Sequence, residues 1–401
     1  MTRGIVRRPD LRVLSMLGIL VSVWLLFRWQ VGEFYFSGES IAKLSRDMVT
    51  WTILAAGMTL VIVSGNIDLS VGSLLALVAA TGALLINGEY GPGLPAEIAV
   101  PVAIGVATII GALQGALTAY IRIPSFIVTL GGLFIFRGVT QKVSAYDPRI
   151  PDSSWITSFG FGYLDPASGW ILAAAVSVLI ILFTIVGRQR RLRAGLPADA
   201  PWLFVSRIVL LPAAVLLFVA KVNEYKGVPL QTLILAGVLV SVWVIARHMT
   251  FGRRLYAIGG NSEAARLSGI RVEAHIVGVF ALMGFLAGIA GTVWMAQNQG
   301  STKNAGEFYE LYAIAAAVIG GTSLMGGRGT VLGTFLGGLV MATVIQGMDY
   351  TNLENWLQLV VRGGLLVAAV GIDLATKNPP RRLIALWRRF QGRRFIGRRD
   401  R

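Results

Sequence analysis

The feature that most constrains this chain is the recurrence, from end to end, of apolar runs near 20 residues. Wound as a helix, one such run crosses about 30 Å of hydrocarbon. The runs are too long, and too continuously apolar, to be the alternating strands of a membrane barrel. Composition agrees, with 55% hydrophobic and only 14% charged residues, against roughly 25% charged in an ordinary soluble protein. The chain is read as an all-α polytopic membrane protein with about twelve spans. They are placed at 11–27, 48–64, 69–86, 97–120, 124–143, 170–187, 202–220, 229–246, 272–296, 311–324, 330–348 and 355–374.

Basic residues set the expected orientation. Arg3, Arg7 and Arg8 precede the first run, which is long and lacks a nearby small-x-small cleavage site, so it reads as an uncleaved span. With the N-terminus in the cytoplasm, alternation puts Arg122, the Arg188/Arg190/Arg191/Arg193 cluster, residues 251–270, Arg328 and the tail inside. Outside loops then carry only scattered bases such as Lys43, Arg149, Lys221 and Lys303. Separate loops thus agree on one topology, with both termini cytoplasmic. A transmembrane domain over 1–380 is followed by a basic cytoplasmic tail, 381–401. Much of the net charge of +16 lies beyond Lys377, directly after the last run. That position suits anionic lipid headgroups, and nucleic acid is not expected as a partner.

Several polar stretches interrupt the apolar pattern. Residues 251–270, FGRRLYAIGGNSEAARLSGI, form the longest polar break in the second half. A short helix is predicted over 262–267, capped by Asn261 or Ser262, with Glu263 at the positive end of its dipole. Gly269 is its natural stop. A helix presented on one membrane face by flanking spans suits docking better than catalysis. A second break, Ser64-Gly65-Asn66-Ile67-Asp68-Leu69-Ser70, leaves almost no loop between two runs. Its polar groups must be buried in protein, line a wet path or sit at the interface. A third, Gly320–Gly329, is a glycine-dense turn between two late spans. The outside loop 297–310 offers Gln297, Asn298, Thr302, Lys303, Asn304 and Glu307 as polar groups. The pairs Gly111/Gly115, Gly284/Gly288 and Gly333/Gly337 read as small-residue faces for close helix packing.

Catalytic and metal constellations are missing. There is no cysteine, and only His248 and His275 are available, so a zinc cluster is not expected. No Gly-Lys dipeptide occurs, which removes the P-loop, and neither G-x-S-x-G nor H-E-x-x-H is present. If solute moves uphill with ATP, another subunit must hydrolyse it. The ionisable residues within or near spans are Asp68, Arg137, Arg207, Arg362 and Asp373. None is clearly a deep coupling carboxylate, and Asp68 reads as a helix cap together with Ser70.

The sequence resembles the sugar permeases of the ribose/xylose/galactose ABC import family in three ordered motifs. These are SGNIDLSVGS at Ser64–Ser73, Glu310-Leu311 followed by AIAAAVIGGTSLMGGRG at Ala313–Gly329, and the 251–270 segment. Glu263-Ala264-Ala265 with Gly269 is similar to the E-A-A-x-x-x-G signature of ABC importer permeases. The resemblance implies a cytoplasmic coupling helix that seats in a groove of a partner ATPase. Gly252, Arg253, Gly259, Asn261, Glu263, Ala264, Ala265, Arg266 and Gly269 carry that role over. It further implies ATP bound by the partner subunit, no cofactor here, an extracytoplasmic sugar-binding protein, and a second permease copy. Asn66, Asp68, Gln297, Asn298, Thr302 and Glu307 become candidates for the pathway or for contact with the binding protein. Ribose-type permeases resemble a ten-span plan; the extra basic loop and span near 188–229 is similar to the xylose branch. D-xylose is therefore the leading expected substrate. Another pentose or hexose, a nucleoside, a branched-chain amino acid, or self-sufficient secondary sugar transport are the alternatives.

Overall fold

The computed structural model describes residues 11–377, apart from 147, 152–153 and 197–199. The tail 381–401 and Arg3, Arg7 and Arg8 lie outside the described residues. The described residues fall into two compact units, divided between Leu353 and Glu354.

In the first unit every predicted run is helical. The early helices are α1 (Leu11–Val31), α2 (Gly38–Asp47), α3 (Val49–Val63), α4 (Val71–Ile86), α5 (Ala96–Ala119) and α6 (Ser125–Val143). After the short α7 (Trp155–Phe161) come α8 (Pro166–Arg193), α9 (Pro201–Asn223) and α10 (Leu230–His248). The polar segment holds α11 (Thr250–Gly260) and α12 (Ser262–Leu267), and α13 (Val272–Gln297), α14 (Tyr309–Ile319) and α15 (Val331–Tyr350) follow. The second unit contains α16 (Asn355–Lys377), in which Arg362 donates to the Gln358 side chain one turn back.

Length separates these helices. Among the described residues, seven are long and apolar enough to cross a membrane, or eight if α2 and α3, bent by 43°, form one span. α4 and α14 are apolar but shorter. With 11 residues, α14 reaches only about 16 Å, half the hydrocarbon thickness. Its continuation is the Gly320–Gly329 turn.

The core is built around α3, whose residues are all buried. It is enclosed by α13, α14, α15 and α10, while α13 also packs along α5 and α4. The glycine pairs explain how closely these helices approach. A methyl at Gly111 would lie 2.2 Å from the Phe280 carbonyl, and one at Gly284 would lie 2.2 Å from that of Ala107. Gly333 and Gly337 sit equally close to the carbonyls of Gly320 and Ala316. The two small-residue faces of α5 and α13 therefore meet each other, and that of α15 meets α14, as the packing interpretation requires. In the buried interior Thr59 of α3 and Thr334 of α15 share a hydrogen bond of 2.5 Å.

The α8–α9 hairpin is attached differently. Its buried residues, Gly169, Ala173 and Ser177 on α8 and Pro212, Val219 and Val222 on α9, mostly gather toward one end. There Ala42 of α2 joins them, and the strands Tyr163–Leu164 and Val228–Pro229 pair antiparallel beside them. Leu179, Phe183, Leu210 and Leu217 are exposed along the remainder. An apolar surface of this kind belongs against lipid.

Candidate functional site

Two regions lie at opposite ends of α3, α14 and α15. The first is a junction of three chain segments, each of which broke the apolar pattern. Gly259 lies in the last turn of α11, Gly65 follows α3, and Gly326–Gly327 lie between α14 and α15. The Gly327 N–H donates to the Val63 carbonyl at 2.9 Å, and the Tyr256 hydroxyl donates to the Gly329 carbonyl at 2.9 Å. A methyl at Gly259 would lie 1.7 Å from the Val63 oxygen and 2.7 Å from Gly327 N. Gly65, Gly326 and Gly327 have φ of +85°, +80° and +70°, a region open to glycine at no steric cost.

The polar segment is therefore two helices, where the sequence suggested one. α12 spans Ser262–Leu267 as predicted, and its cap is Asn261, whose Oδ1 accepts from Ala264 N at 2.9 Å. Gly269, at φ +82°, ends it. α11 escaped notice because Arg253 and Arg254 read as loop, although Leu255 and Ile258 give it a buried face. The nine residues assigned to ATPase contact divide accordingly. Gly252 is packed on Ile245 and Ala246, and Gly259 on Val63. Ala265 is buried with Ile258 and Val272, and Asn261 and Gly269 shape the turns. Only Arg253, Glu263, Ala264 and Arg266 present side chains on the exposed face. Arg266 pairs with Glu273 at 2.6 Å. Sequence reasoning passed over two apolar side chains at this end, Leu267 and Met325, which are 81% and 76% exposed.

The 64–70 break is a buried turn. Asp68 Oδ1 accepts from the Ser70 N–H at 2.8 Å and the Ser70 hydroxyl at 2.7 Å, and Gln114 Nε2 donates to Ser70 Oγ at 3.0 Å. Asn66 Nδ2 donates to Ser64 Oγ at 3.1 Å. Both candidates are thus engaged within the turn. Asparagine at 68 keeps the oxygen that accepts from Ser70. Asp68→Asn is expected to cost about 1 kcal/mol or less, with uptake near the wild-type level when uptake and membrane protein level are measured together. Loss of uptake at normal protein level would make Asp68 a pathway group.

The second region is a cavity of about 330 Å³ where α2 meets α3, α13 ends, α14 begins and α15 ends. Trp51, Trp294, Tyr309 and Phe161 give it aromatic walls, and Gln297, Asn298, Gln346, Arg46, Asp47 and Asp349 line it with polar groups. The Trp51 ring meets Tyr309 edge-on at 5.7 Å. Gln297 Nε2 donates to the Arg46 carbonyl at 3.0 Å, and Gln346 Nε2 to the Ser40 carbonyl at 2.8 Å. Of the predicted loop candidates, Gln297 and Asn298 line this cavity, while Thr302 and Glu307 are exposed residues outside its lining. Asn66 and Asp68 follow the other end of α3. Arg137 holds the 298–308 loop in place by donating to the Ala305 carbonyl at 2.5 Å and more weakly to that of Gly306. Sequence reasoning missed Trp51 on α3, Tyr309 on α14, and Gln346 and Asp349 on α15, which share no local motif.

The chain is thus a multi-pass helical membrane protein with a polar cavity at one end of its core and a glycine junction at the other. The family described as branched-chain amino acid transport system / permease component matches residues 40–370. The chain belongs to that family. It is 37% identical to the xylose transport system permease protein XylH of Escherichia coli, over 92% of this chain and 93% of the relative. The protein of that name from Haemophilus influenzae is 36% identical, over 92% and 98%. The ribose import permease protein RbsC of E. coli is 31% identical, over 84% and 87%. No solved structure matches.

Proposed function

We propose that this chain is the membrane-spanning permease subunit of an ABC importer that carries a monosaccharide, D-xylose first among them, across the bacterial inner membrane. The observation that carries this reading is the 37% identity with a xylose permease over 92% of the chain, against 31% over 84% for a ribose permease. A match of that extent takes in the α8–α9 hairpin. ATP hydrolysis belongs to a separate ATPase subunit, since the chain has no P-loop. An extracytoplasmic binding protein delivers the sugar, and a second permease copy completes the pore.

The junction and cavity suggest how coupling proceeds. α12 is held on α11, whose last turn rests on the carbonyl end of α3 and on the turn after α14. α3 is a buried rod of 15 residues, about 22 Å long, with the cavity at its far end. A displacement of α12 by the ATPase therefore reaches the cavity through α3, α14 and α15, elements that repack rather than bend.

In this reading all twelve runs belong to the membrane domain, α14 and Gly320–Gly329 together completing one crossing, and both termini are cytoplasmic. Because the chain is cysteine-free, Arg191→Cys tests the orientation: an impermeant thiol reagent is expected to label it from the cytoplasmic side alone. Labelling from outside would overturn the topology. The function itself is tested by reconstituting the chain with its ATPase and binding protein. ATP-dependent uptake of D-xylose, exceeding that of D-ribose, is the expected result; uptake driven by an ion gradient without ATPase would identify a secondary carrier instead.

A further inference from the structure

The polar side chains of the cavity share a bias that its volume and family do not express. Gln297 and Gln346 turn their amide nitrogens outward, into the backbone carbonyls of Arg46 and Ser40. Asn298 does the same, with Nδ2 donating to the Trp294 carbonyl at 2.8 Å. Of the two ends of a side-chain amide only the NH2 can donate to a carbonyl, so these contacts fix which end of each amide is which. The three amide oxygens receive no protein hydrogen bond among the described residues. Each retains its acceptor capacity.

Charge extends the pattern. Asp349 is exposed at the mouth, and Asp47 is partly screened by Arg46 at 3.4 Å and Lys43 at 3.8 Å. The lining itself carries Arg46 against two carboxylates, which opposes an anionic ligand. Its one cationic donor already faces Asp47. The wall around these acceptors is aromatic, with Trp51 and Trp294 both more than nine-tenths buried. Flat apolar walls with a few placed acceptors suit a neutral ring bearing several hydroxyls, whose O–H groups donate while its C–H faces lie on the indoles. A zwitterionic amino acid would instead need free donors for its carboxylate.

We propose that this cavity is a sugar site within the permease itself, selecting neutral polyols by the acceptor oxygens of Gln297, Asn298, Gln346 and Asp349. The proposal rests on the reading of the chain as a sugar permease and locates where that permease holds its substrate. Release must follow every capture, so the affinity falls in about the millimolar range. Binding proceeds without the binding protein or ATPase.

The test is protection of a single thiol. Ile345→Cys places the only cysteine of the chain in the cavity lining without removing any of the four acceptors, and the purified permease, alone in nanodiscs, is alkylated with a maleimide. D-xylose at ten times its dissociation constant is expected to slow alkylation about tenfold, following site occupancy. D-ribose is expected to protect at higher concentration, and leucine and inorganic phosphate not at all. If the Ile345→Cys chain fails to insert, Leu44→Cys, on α2 in the same lining, repeats the measurement. Protection by leucine in place of sugars would overturn the ligand class. Absence of protection by any sugar, in a preparation whose wild type transports xylose with its partners, would overturn the site while leaving the transport function standing. A wild type that transports no sugar would instead remove the functional reading beneath it.

Discussion

Alanine at Gly259 is expected to abolish uptake, while alanine at its neighbour Gly260 leaves it nearly unchanged. The two glycines are adjacent in one helix, yet their surroundings differ completely. A methyl at 259 would sit 1.7 Å from the Val63 carbonyl oxygen and 2.7 Å from Gly327 N, whereas one at 260 meets nothing within 4 Å. The atoms in the way at 259 are backbone, so no rotamer change relieves the clash. α11 would have to lift from α3 and from the Gly326–Gly327 turn, stretching the hydrogen bond from Tyr256 to Gly329. Forced overpacking costs about 1–3 kcal/mol, and occasionally more; with backbone on both sides this site belongs at the upper end. The loss falls on the contact through which α12 would act on the core. Thermal stability in detergent and ATP-driven uptake, measured for both variants beside wild type, check the expectation. Equal behaviour of the two would mean that the junction is looser than its distances imply.

How far the sequence discloses this arrangement depends on whether a feature is local. The apolar runs are local, so the membrane class and the helical nature of each run were legible at once. α12 was legible to the residue, because an Asn cap and a Gly stop are short-range devices. The pairing of Gly111/Gly115 with Gly284/Gly288 was half legible: the spacing marks a packing face, but only the fold selects its partner. α11 was hidden by its arginines, which look like loop when the buried Leu255 and Ile258 one turn apart are not weighed. The close contact of Gly259 with Val63 of its own chain was not legible, since a glycine near a docking helix looks functional whether its close contact is another chain or its own. The cavity was the least legible part. Gln297 and Asn298 were singled out as loop polarity, but Trp51, Tyr309, Gln346 and Asp349 are ordinary residues at helix ends until α3, α14 and α15 bring them together. The span count is legible only coarsely: among the described residues seven helices, or eight with α2 and α3 as one, are long and apolar enough to cross, while α14, at 11 residues, is too short to cross alone.

The exposed tip of α12 yields the other large expected effect. Leu267 is the last residue of that helix and is 81% exposed, in a segment otherwise bearing Arg253, Glu263 and Arg266 outward. A single exposed leucine is unremarkable on most surfaces, but this one ends a capped helix held rigidly on α11 by Ala265, Ile258 and Val272. Burying it in a partner would contribute about 1.5–3 kcal/mol, which converts to roughly 10- to 150-fold in the affinity of the permease for its ATPase. Leu267→Asp replaces that contribution with the desolvation of a charge. Because the side chain is almost wholly exposed, the permease should insert and melt as wild type does. The ATPase should fail to co-purify with it, and uptake should be lost. Glu263→Lys, on the same exposed face, should weaken assembly less, since a rim charge alters association more than the buried contact. A Leu267→Asp permease that retained its ATPase and transported at the wild-type rate would place the docking surface elsewhere, with Met325 in the glycine turn, 76% exposed, the next position to substitute.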